Sequence, residues 1–330
     1  MNKTSISIVR TPFQLFNCIE ATKEFNCKGT NILICIYKNE VDKNLFEEIL
    51  KNFTWDKVYF FKLNSFNRMF YSIILNNILK KYKKVEYCFF GLITSYIVHA
   101  INQINAKENI LIDDGNETFL IASNIKNNLY KEKFKNTLVD KIVAKNLELS
   151  FLKDLKIFTF FNLESYSLNN EVIKNEYCNF KESINNLPID KEIFFIGSNL
   201  IDNYIEKEYF EETLKNTIKY YNDYKVIYIP HRYEDINYLK SLSIKYGFEL
   251  KKFSTILELA ILQYGKKPSG LVTIRSTALE TLAYLYDIKF LNIIELDLTK
   301  LKKDSQVEEY KNLYKNYLEK KIPLVKVNLY

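Results

Sequence analysis

Short apolar runs alternate with amphipathic segments along most of the chain. The runs at 5–9, 31–37 and 110–112 are rich in Ile, Val and Leu, which is typical of strands buried in a parallel sheet. The segments between such runs place apolar residues three and four positions apart, as helices with one buried face do. This alternation of strands and helices predicts a doubly wound α/β fold.

The α/β pattern starts twice, and each half predicts its own set of elements. At the first helix, Pro12 fits the first turn and Thr11 fits the N-cap. The first half is predicted to hold strands at 5–9, 31–37, 57–63, 85–90, 110–112 and 156–161, and helices at 15–24, 43–52, 68–81, 94–104 and 127–146. The second half is predicted to hold strands at 192–196, 225–229, 249–253, 270–274 and 289–293, and helices at 208–221, 238–246, 255–264, 276–286 and 300–321.

Residues 162–190 separate the two halves, because their pattern is weak and rich in Asn, Glu and Ser. We expect a first Rossmann-like domain at 1–165, a linker at 166–190 and a second Rossmann-like domain at 191–330, with the last helix able to pack back. Two facing domains of this kind with a central cleft resemble the GT-B type of nucleotide-sugar glycosyltransferase. Other two-domain enzymes share this architecture, so it does not fix the chemistry.

The composition agrees with a folded α/β protein. Apolar residues make up 47% and charged residues 26% of the 330 residues, which excludes a disordered chain. With only 7 Gly and 5 Pro, a turn-rich all-β fold is not expected. The net charge of +7 favours anionic ligands, but the basic residues are dispersed among Glu and Asp in amphipathic segments. We therefore favour a solvated Lys-rich surface over nucleic-acid binding.

The cysteines and histidines indicate a reduced compartment and no His-based metal site. Five cysteines are present, none with CxxC spacing, and only two histidines, so no His/Cys cluster has metal-ligand spacing. Residues 1–9 are too polar for a signal peptide, and no apolar run reaches the roughly 18 residues of a membrane span. These features predict a cytoplasmic protein that is soluble or peripherally attached to a membrane.

Two carboxylates follow the predicted strand at 110–112 directly, in the sequence Asp113-Asp114-Gly115. In open α/β sheets ligands bind at the carboxyl ends of strands, which is where this pair is expected to lie. Gly115 permits a sharp turn there. An ordinary surface turn of the same sequence is an equally good interpretation from this stretch alone.

His231 follows another predicted strand, in the sequence Ile-Pro-His-Arg. An imidazole at this position can donate a proton to a leaving phosphate, and Arg232 beside it would strengthen phosphate binding. A half-buried loop histidine is the alternative. His99 lies inside an apolar helical stretch, and we interpret it as structural.

Ser276 and Thr277 lie where a predicted strand gives way to a helix. Their hydroxyls and the N–H groups of a helix start can hold a phosphate, but the same residues fit an ordinary N-cap, with Glu280 completing a capping box. No Gly-rich phosphate loop is present, and no D-x-D suited to metal-dependent sugar transfer stands out. The remaining candidates are Arg275, Gly197 and Ser198 after the strand at 192–196, and Glu258, which could hold ribose hydroxyls.

Together these motifs resemble those of bacterial GT-B sialyltransferases. The order of Asp-Asp-Gly at 113–115, His231 next to a proline, and Ser276-Thr277 matches their acidic-acidic-Gly, His-Pro and Ser-Ser or Ser-Thr motifs. These enzymes include the family 52 lipooligosaccharide sialyltransferases, the related capsular polysialyltransferases, and the Pasteurella and marine-bacterial group. The opening Thr-Pro-Phe-Gln at 11–14 is also similar to family 52. Here the proline precedes His231, and Thr277 stands in place of the second serine.

The resemblance implies a residue-by-residue assignment for an inverting transfer of N-acetylneuraminate from CMP-Neu5Ac to a glycan hydroxyl. Asp113 is implied as the general base, with Asp114 as the competing assignment, and His231 as the acid that assists departure of CMP. The implied donor-binding residues are Thr11, Gln14, Gly197, Ser198, Arg232, Glu258, Arg275, Ser276 and Thr277. A CMP-sugar leaves with one phosphate only, so neither a metal nor another cofactor is expected.

The implied acceptor is a galactose-terminated lipooligosaccharide or capsular chain, which can be lipid-linked at the inner face of the plasma membrane. The Lys-rich segments at 127–146 and 300–321 could touch anionic lipid there, although a solvated helix face is the favoured interpretation. Two other functions fit the sequence. One is a related transferase that uses another CMP-nonulosonate or a UDP-hexose. The other is a non-catalytic protein that binds a nucleotide or a glycan.

Overall fold

The computed structural model describes residues 3–64, 67–82, 84–115, 117–130 and 147–327. The chain divides into two compact units, Met1–Glu182 and Ser183–Tyr330. Each unit is built around one parallel sheet flanked by helices. The five cysteines are free, and three of them are buried in the first unit.

The first unit contains a seven-stranded sheet in the order β3-β2-β1-β4-β5-β6-β7, with every neighbouring pair parallel. Its strands are β1 (Thr4–Val9), β2 (Thr30–Tyr37), β3 (Lys57–Lys62), β4 (Val85–Phe90), β5 (Glu108–Ile112), β6 (Lys156–Thr159) and β7 (Val172–Lys174). The described helices of this unit are α1 (Pro12–Glu24), α2 (Glu40–Leu50), α3 (Asn67–Leu79), α4 (Ser95–Ile104), α5 (Glu117–Lys126) and α6 (Cys178–Ile184).

The core of this unit lies on both faces of the sheet, because the central strands carry apolar side chains in succession. Ile6, Ile8, Phe89 and Phe90 are fully buried. Each such side chain contributes about 1.5–3 kcal/mol to the free energy of unfolding. Strands that are apolar on both faces need helices on both faces, which is why the sheet is doubly wound.

The second unit contains a six-stranded parallel sheet in the order β10-β9-β8-β11-β12-β13. Its strands are β8 (Ile189–Ile196), β9 (Lys225–Ile229), β10 (Glu249–Leu250), β11 (Lys267–Thr273), β12 (Phe290–Ile294) and β13 (Leu324–Val325). Its helices are α7 (Lys207–Tyr220), α8 (Ile236–Tyr246), α9 (Leu257–Tyr264), α10 (Ala278–Tyr286) and α11 (Asp304–Glu319).

Most predicted elements are confirmed, with shifted ends. β4 and β9 have the predicted bounds, and Thr11 caps α1 by accepting a hydrogen bond from the Gln14 N–H at 3.2 Å. The strand predicted at 249–253 has only two residues, and the strand predicted at 289–293 is not the last one, since β13 follows it. Of the helix predicted at 127–146, residues 131–146 lie outside the described residues.

Four described helices and strands are not among the predicted ones, namely α5, β7, α6 and β13. Two of them, β7 and α6, fall within the segment expected to be a linker. β7 adds a seventh strand to the first sheet by pairing with β6, and the two compact units divide between Glu182 and Ser183.

Candidate active site

Both sheets reverse their strand order at their first strand, between β1 and β4 in one unit and between β8 and β11 in the other. At such a switch point the loops after neighbouring strands leave toward opposite faces and open a crevice for ligands. All the sequence-predicted site residues except Glu258 follow the carboxyl end of a strand at or next to one of these two points.

Asp113 is fully buried at the end of β5, and both of its carboxylate oxygens are bonded. Oδ1 accepts hydrogen bonds from the Thr118 hydroxyl at 3.0 Å and the Thr159 hydroxyl at 2.5 Å. Oδ2 accepts one from the Phe160 N–H at 2.9 Å. The carboxylate therefore joins β5, the first turn of α5 and the end of β6.

Burial raises the pKa of Asp113 to about 6, although these hydrogen bonds act in the opposite direction. The side chain has no exposed surface from which to reach a substrate. Its observed role is to position the residues around it. Neither Thr118 nor Thr159 had been singled out in the sequence, and no local pattern distinguishes them.

Asp114 differs from its neighbour because its side chain is partly exposed. Its Oδ1 accepts a hydrogen bond from the Thr11 hydroxyl at 2.8 Å. Burial raises its pKa, while the Thr11 hydroxyl, the Gln14 amide and the charge of Arg10 lower it. Gly115 follows with φ of +63°, which confirms the expected sharp turn. Of the two carboxylates, Asp114 is the one that can meet a ligand.

Gln14 and Asn17, both buried in α1, hold the loops around the acidic pair. Gln14 accepts a hydrogen bond from the Arg10 N–H through Oε1 at 2.8 Å. Asn17 donates to the Asp113 carbonyl at 3.3 Å and accepts from the Tyr177 hydroxyl. Thr11 and Gln14 were expected among the donor-binding residues, whereas the structure places them beside Asp114.

In the second unit, the loop after β8 meets the loop after β11. The Ser198 hydroxyl donates to the Arg275 carbonyl. Gly197 has no room for a side chain, because a Cβ there would lie 2.3 Å from the Glu234 carboxylate and 2.9 Å from the Ile229 carbonyl. The glycine thus allows the loops after β8 and β9 to approach each other closely.

His231 occupies a tight turn after β9 with a defined tautomer. Its Nδ1 accepts a hydrogen bond from the Tyr233 N–H at 3.3 Å. The neutral ring therefore carries its proton on Nε2, which is left to donate to a ligand. Burial and the charge of Arg232 both lower the pKa of His231. At neutral pH the ring of the free protein is accordingly a neutral hydrogen-bond donor.

Glu234 fixes this turn and had not been singled out in the sequence. Its Oε2 accepts from the His231 N–H at 2.6 Å, its Oε1 accepts from the Tyr228 hydroxyl at 2.6 Å, and its own N–H donates to the His231 carbonyl at 3.0 Å. Burial raises the pKa of Glu234 to about 7. Its spacing of three residues from His231 is the only signal in the sequence.

Ser276 and Thr277 precede α10 as predicted. The Ser276 Oγ accepts from the Ala278 N–H at 3.3 Å, while Thr277 is exposed and makes no side-chain capping hydrogen bond. The predicted capping box is wrong, because the Glu280 carboxylate pairs instead with Lys320 at 2.6 Å. Thr277 is therefore open to an anion at the start of α10, whereas the Ala278 and Leu279 N–H groups are already bonded to Ser276.

The two candidate arginines, Arg275 and Arg232, differ in their contacts and exposure. Arg275 pairs with Glu309 of α11, and its guanidinium lies 4.6 Å from the ring centroid of Tyr204 and 5.6 Å from that of Tyr310. These contacts give it the role of anchoring the loop after β11 to α11. Arg232 is exposed beside His231.

Glu258 lies in the first turn of α9, between the elements that carry His231 and Ser276. Desolvation raises its pKa to about 7. No ion pair of this carboxylate is present among the residues that the structure describes. A carboxyl group in this state can accept or donate a hydrogen bond to a hydroxyl group.

The described part of the chain contains no group of three His, Cys, Asp or Glu side chains that could hold a metal ion. None of its helices has the length and apolarity needed to cross a bilayer.

Solved structures similar to this chain share its fold at low sequence identity. A UDP-glucosyltransferase from Polygonum tinctorium has a TM-score of 0.52 at 9% identity, covering 89% of this chain and 79% of its own. A UDP-GlcNAc 2-epimerase from Neisseria meningitidis, bound to UDP-GlcNAc, has a TM-score of 0.51 at 12% identity, covering 96% and 92%. UGT2 from Phytolacca americana, complexed with UDP-2-fluoro-glucose and pterostilbene, has a TM-score of 0.50 at 10% identity, covering 90% and 81%.

These similarities confirm the predicted fold class, which is GT-B with two Rossmann-like parallel-sheet domains. No family model and no curated protein matches the sequence. Because transferases and an epimerase share the fold, the fold does not decide the reaction.

The buried state of Asp113 predicts a pH-dependent difference between the protein and Asp113→Asn. An asparagine can offer its oxygen to the Phe160 N–H and its NH2 group to the two hydroxyls, so the variant should fold. The pKa of Asp113 is about 6 in the folded protein and 3.8 ordinarily. The stability due to this raised pKa is therefore fully present below pH 3.8 and lost as the pH rises through 6.

We expect the free energy of unfolding of the protein, relative to Asp113→Asn, to fall between pH 4 and 7.5, by at most about 3 kcal/mol. Urea unfolding of both proteins at the two pH values measures this. An Asp154→Asn variant is the surface control. A constant difference across this pH range would contradict the buried carboxylate.

Proposed function

We propose that this protein is an inverting, metal-independent sialyltransferase that transfers N-acetylneuraminate from CMP-Neu5Ac to a hydroxyl of a glycan acceptor. The GT-B fold and the motifs shared with bacterial sialyltransferases support this proposal. The observation that carries it is the chemistry at the carboxyl end of the second sheet. There, one imidazole N–H, one exposed hydroxyl and the positive end of a helix dipole suit a single phosphate group.

Asp114 is the general base in this proposal, and Asp113 is its support. Deprotonation of an acceptor hydroxyl requires a carboxylate that the acceptor can touch, and of this pair only Asp114 is partly exposed. The Thr11 hydroxyl bond holds Asp114 in one orientation. The acceptor oxygen then attacks the anomeric carbon as the bond from that carbon to the phosphate oxygen breaks.

His231 stabilises the leaving CMP through its Nε2–H. A neutral ring that already carries this proton can donate a hydrogen bond to the phosphate without first being protonated. Negative charge that develops on the phosphate raises the pKa of the ring and strengthens the bond. The hydroxyls of Ser276 and Thr277, at the start of α10, bind the other phosphate oxygens, and Glu258 binds the ribose hydroxyls.

The proposal requires Asp114 and His231 to reach one bound substrate pair. The acceptor is a galactose-terminated lipooligosaccharide or capsular chain, and access to a lipid-linked form would place the enzyme at the membrane surface. The lysines of α11, together with Lys320 that follows it, give limited support for membrane contact. Lys311, Lys315 and Lys320 each have a carboxylate partner within 4.0 Å.

Substitution of the two reacting residues should reduce transfer without unfolding the protein. We expect Asp114→Asn to lower kcat/KM roughly 10²- to 10⁴-fold and His231→Ala to lower it roughly 10²- to 10³-fold, measured with CMP-Neu5Ac and lactose. His99→Gln is the matched histidine control and should keep full activity. Undiminished transfer by Asp114→Asn would show that Asp114 is not the base. Because the proposed reaction needs no metal, EDTA should leave the wild-type rate of transfer unchanged.

The pH profile should identify the base. Glu117 raises the pKa of Asp114 through its negative charge. Since the base must be deprotonated, the acid limb of kcat/KM follows the pKa of Asp114. In Glu117→Gln this pKa falls and the limb should move to lower pH with the plateau unchanged. Glu164→Gln, which removes another exposed carboxylate of the same unit, should not move it, and an unshifted limb in Glu117→Gln would argue against Asp114.

The nucleotide can be tested separately from the transfer. We expect CMP to raise the melting temperature more than UDP or GDP does, because the proposed donor is a CMP-sugar. Stabilisation by UDP without CMP would instead favour a UDP-hexose transferase, the class of donor seen in the UDP-glucosyltransferase of similar fold.

A further inference from the structure

A cavity of about 350 Å³ lies beside His231 within the second unit. The loops that follow β8 and β9 form its walls, and small ligands are bound in cavities of this size. The loop after β9 contributes Tyr233 and Glu234, which follow His231 directly in the chain. The ring centroids of His231 and Tyr233 are 5.4 Å apart, so the cavity begins next to the imidazole.

The carboxylates that line this cavity already have partners. Asp235 caps α8 by accepting from two backbone N–H groups, at 2.9 and 3.2 Å. Asp202 lies 3.7 Å from the Lys302 ammonium. Glu234 accepts the two hydrogen bonds of the His231 turn. Each of the three carboxylates therefore has at least one partner within the second unit.

Lys207 is the exception among the charged residues of the lining. It forms no ion pair with any carboxylate in the described ranges, and its side chain is exposed. Its ammonium lies 3.9 Å from the ring centroid of Tyr238, which anchors it by a cation–π contact. Tyr238 is itself fixed by a hydrogen bond from its hydroxyl to Glu211 at 3.1 Å. The cation is therefore held at the cavity wall with its N–H groups available.

The rest of the lining suits a sugar. Tyr233 is 66% exposed, and the Arg232 guanidinium lies 4.9 Å from its ring centroid, so the ring face opposite Arg232 is the one that can pack against the C–H groups of a pyranose. The side-chain amides of Asn199 and Asn203 supply both donors and acceptors for hydroxyl groups. One unpaired cation, one aromatic face and two amides together match a sugar that carries a carboxylate.

We propose that this cavity binds the carboxylated sugar of the donor, with Lys207 as the counter-charge of the sugar carboxylate and Tyr233 as the surface under its ring. The inference rests on the proposed function, because a phosphate bonded to His231 places its attached sugar next to this cavity. Lys207 is thus a residue that determines donor specificity and takes no part in the bond changes. A neutral hexose donor would leave its charge without a partner.

The test compares CMP with CMP-3-fluoro-Neu5Ac, a donor analogue that resists transfer, by titration calorimetry. Lys207→Met should weaken binding of the analogue at least tenfold, the scale of a lost charge-assisted hydrogen bond, and leave binding of CMP unchanged. Lys219→Met removes the same charge from the other end of α7, where the side chain is also exposed, and should change neither affinity. Lys207→Arg should retain most of the affinity for the analogue.

Equal loss of affinity for CMP and the analogue in Lys207→Met, or no loss for either, would overturn the assignment of Lys207. If wild-type protein binds no CMP, the proposed function fails, and the cavity is then tested directly. Saturation-transfer NMR with free N-acetylneuraminate and with N-acetylglucosamine should show contact for the acidic sugar only, lost in Lys207→Met. Equal signals for the two sugars would overturn the cavity proposal itself.

Discussion

The buried carboxylate of Asp113 is the contact on which the first unit's site depends. It accepts three hydrogen bonds from two later segments of the chain, and the carbonyl of the same residue accepts one from Asn17 of α1. Asn17 in turn accepts from Tyr177, which follows β7. One residue therefore ties together the ends of β5 and β6 and the helix that follows β1. Without it, several donors in a dry environment would lose their partner, which is costly because water cannot replace it.

In the second unit, Glu234 likewise joins separate segments of the chain by hydrogen bonds, with a different geometry. Its carboxylate bonds the His231 N–H and the Tyr228 hydroxyl and lies against Gly197. The turn places the Tyr233 N–H against Nδ1 of the imidazole, and this selects the tautomer that donates through Nε2. In both units, a desolvated carboxylate with a raised pKa holds the backbone around it, and a more accessible side chain lies beside it.

The sequence predicts the elements whose apolar pattern is strong and misses those whose stability comes from distant contacts. β4 and β9 are found with their observed bounds, since all but one residue of each is apolar or aromatic. α5 has no apolar stripe to detect, because Thr118 and Asn124 are buried while Leu120 is 48% exposed. β7 has three residues with largely exposed side chains at the edge of the sheet. Only its pairing with β6 makes it a strand.

The same dependence on distant contacts limits how much of the candidate site the sequence predicts. Motif order and position after a strand place Asp113, His231 and Ser276 at the carboxyl ends of their sheets, as the structure confirms. Neither motif nor position can tell which of two adjacent aspartates is buried, because that depends on Thr159 and Phe160, which lie 46 and 47 residues further along the chain. Glu234 is likewise recognisable only once Tyr228 and the His231 backbone are seen around it.

Adjacent carboxylates at the end of a buried strand have unequal environments for a geometric reason. Successive residues of an extended chain point in opposite directions, so when the first side chain turns into the interior the second turns toward the loop. The first must then be fully hydrogen-bonded to remain buried, while the second needs only an orienting contact such as the Thr11 hydroxyl. In the proposed reaction, a pair of this kind provides a support and a base from two identical side chains, and burial rather than residue type distinguishes them.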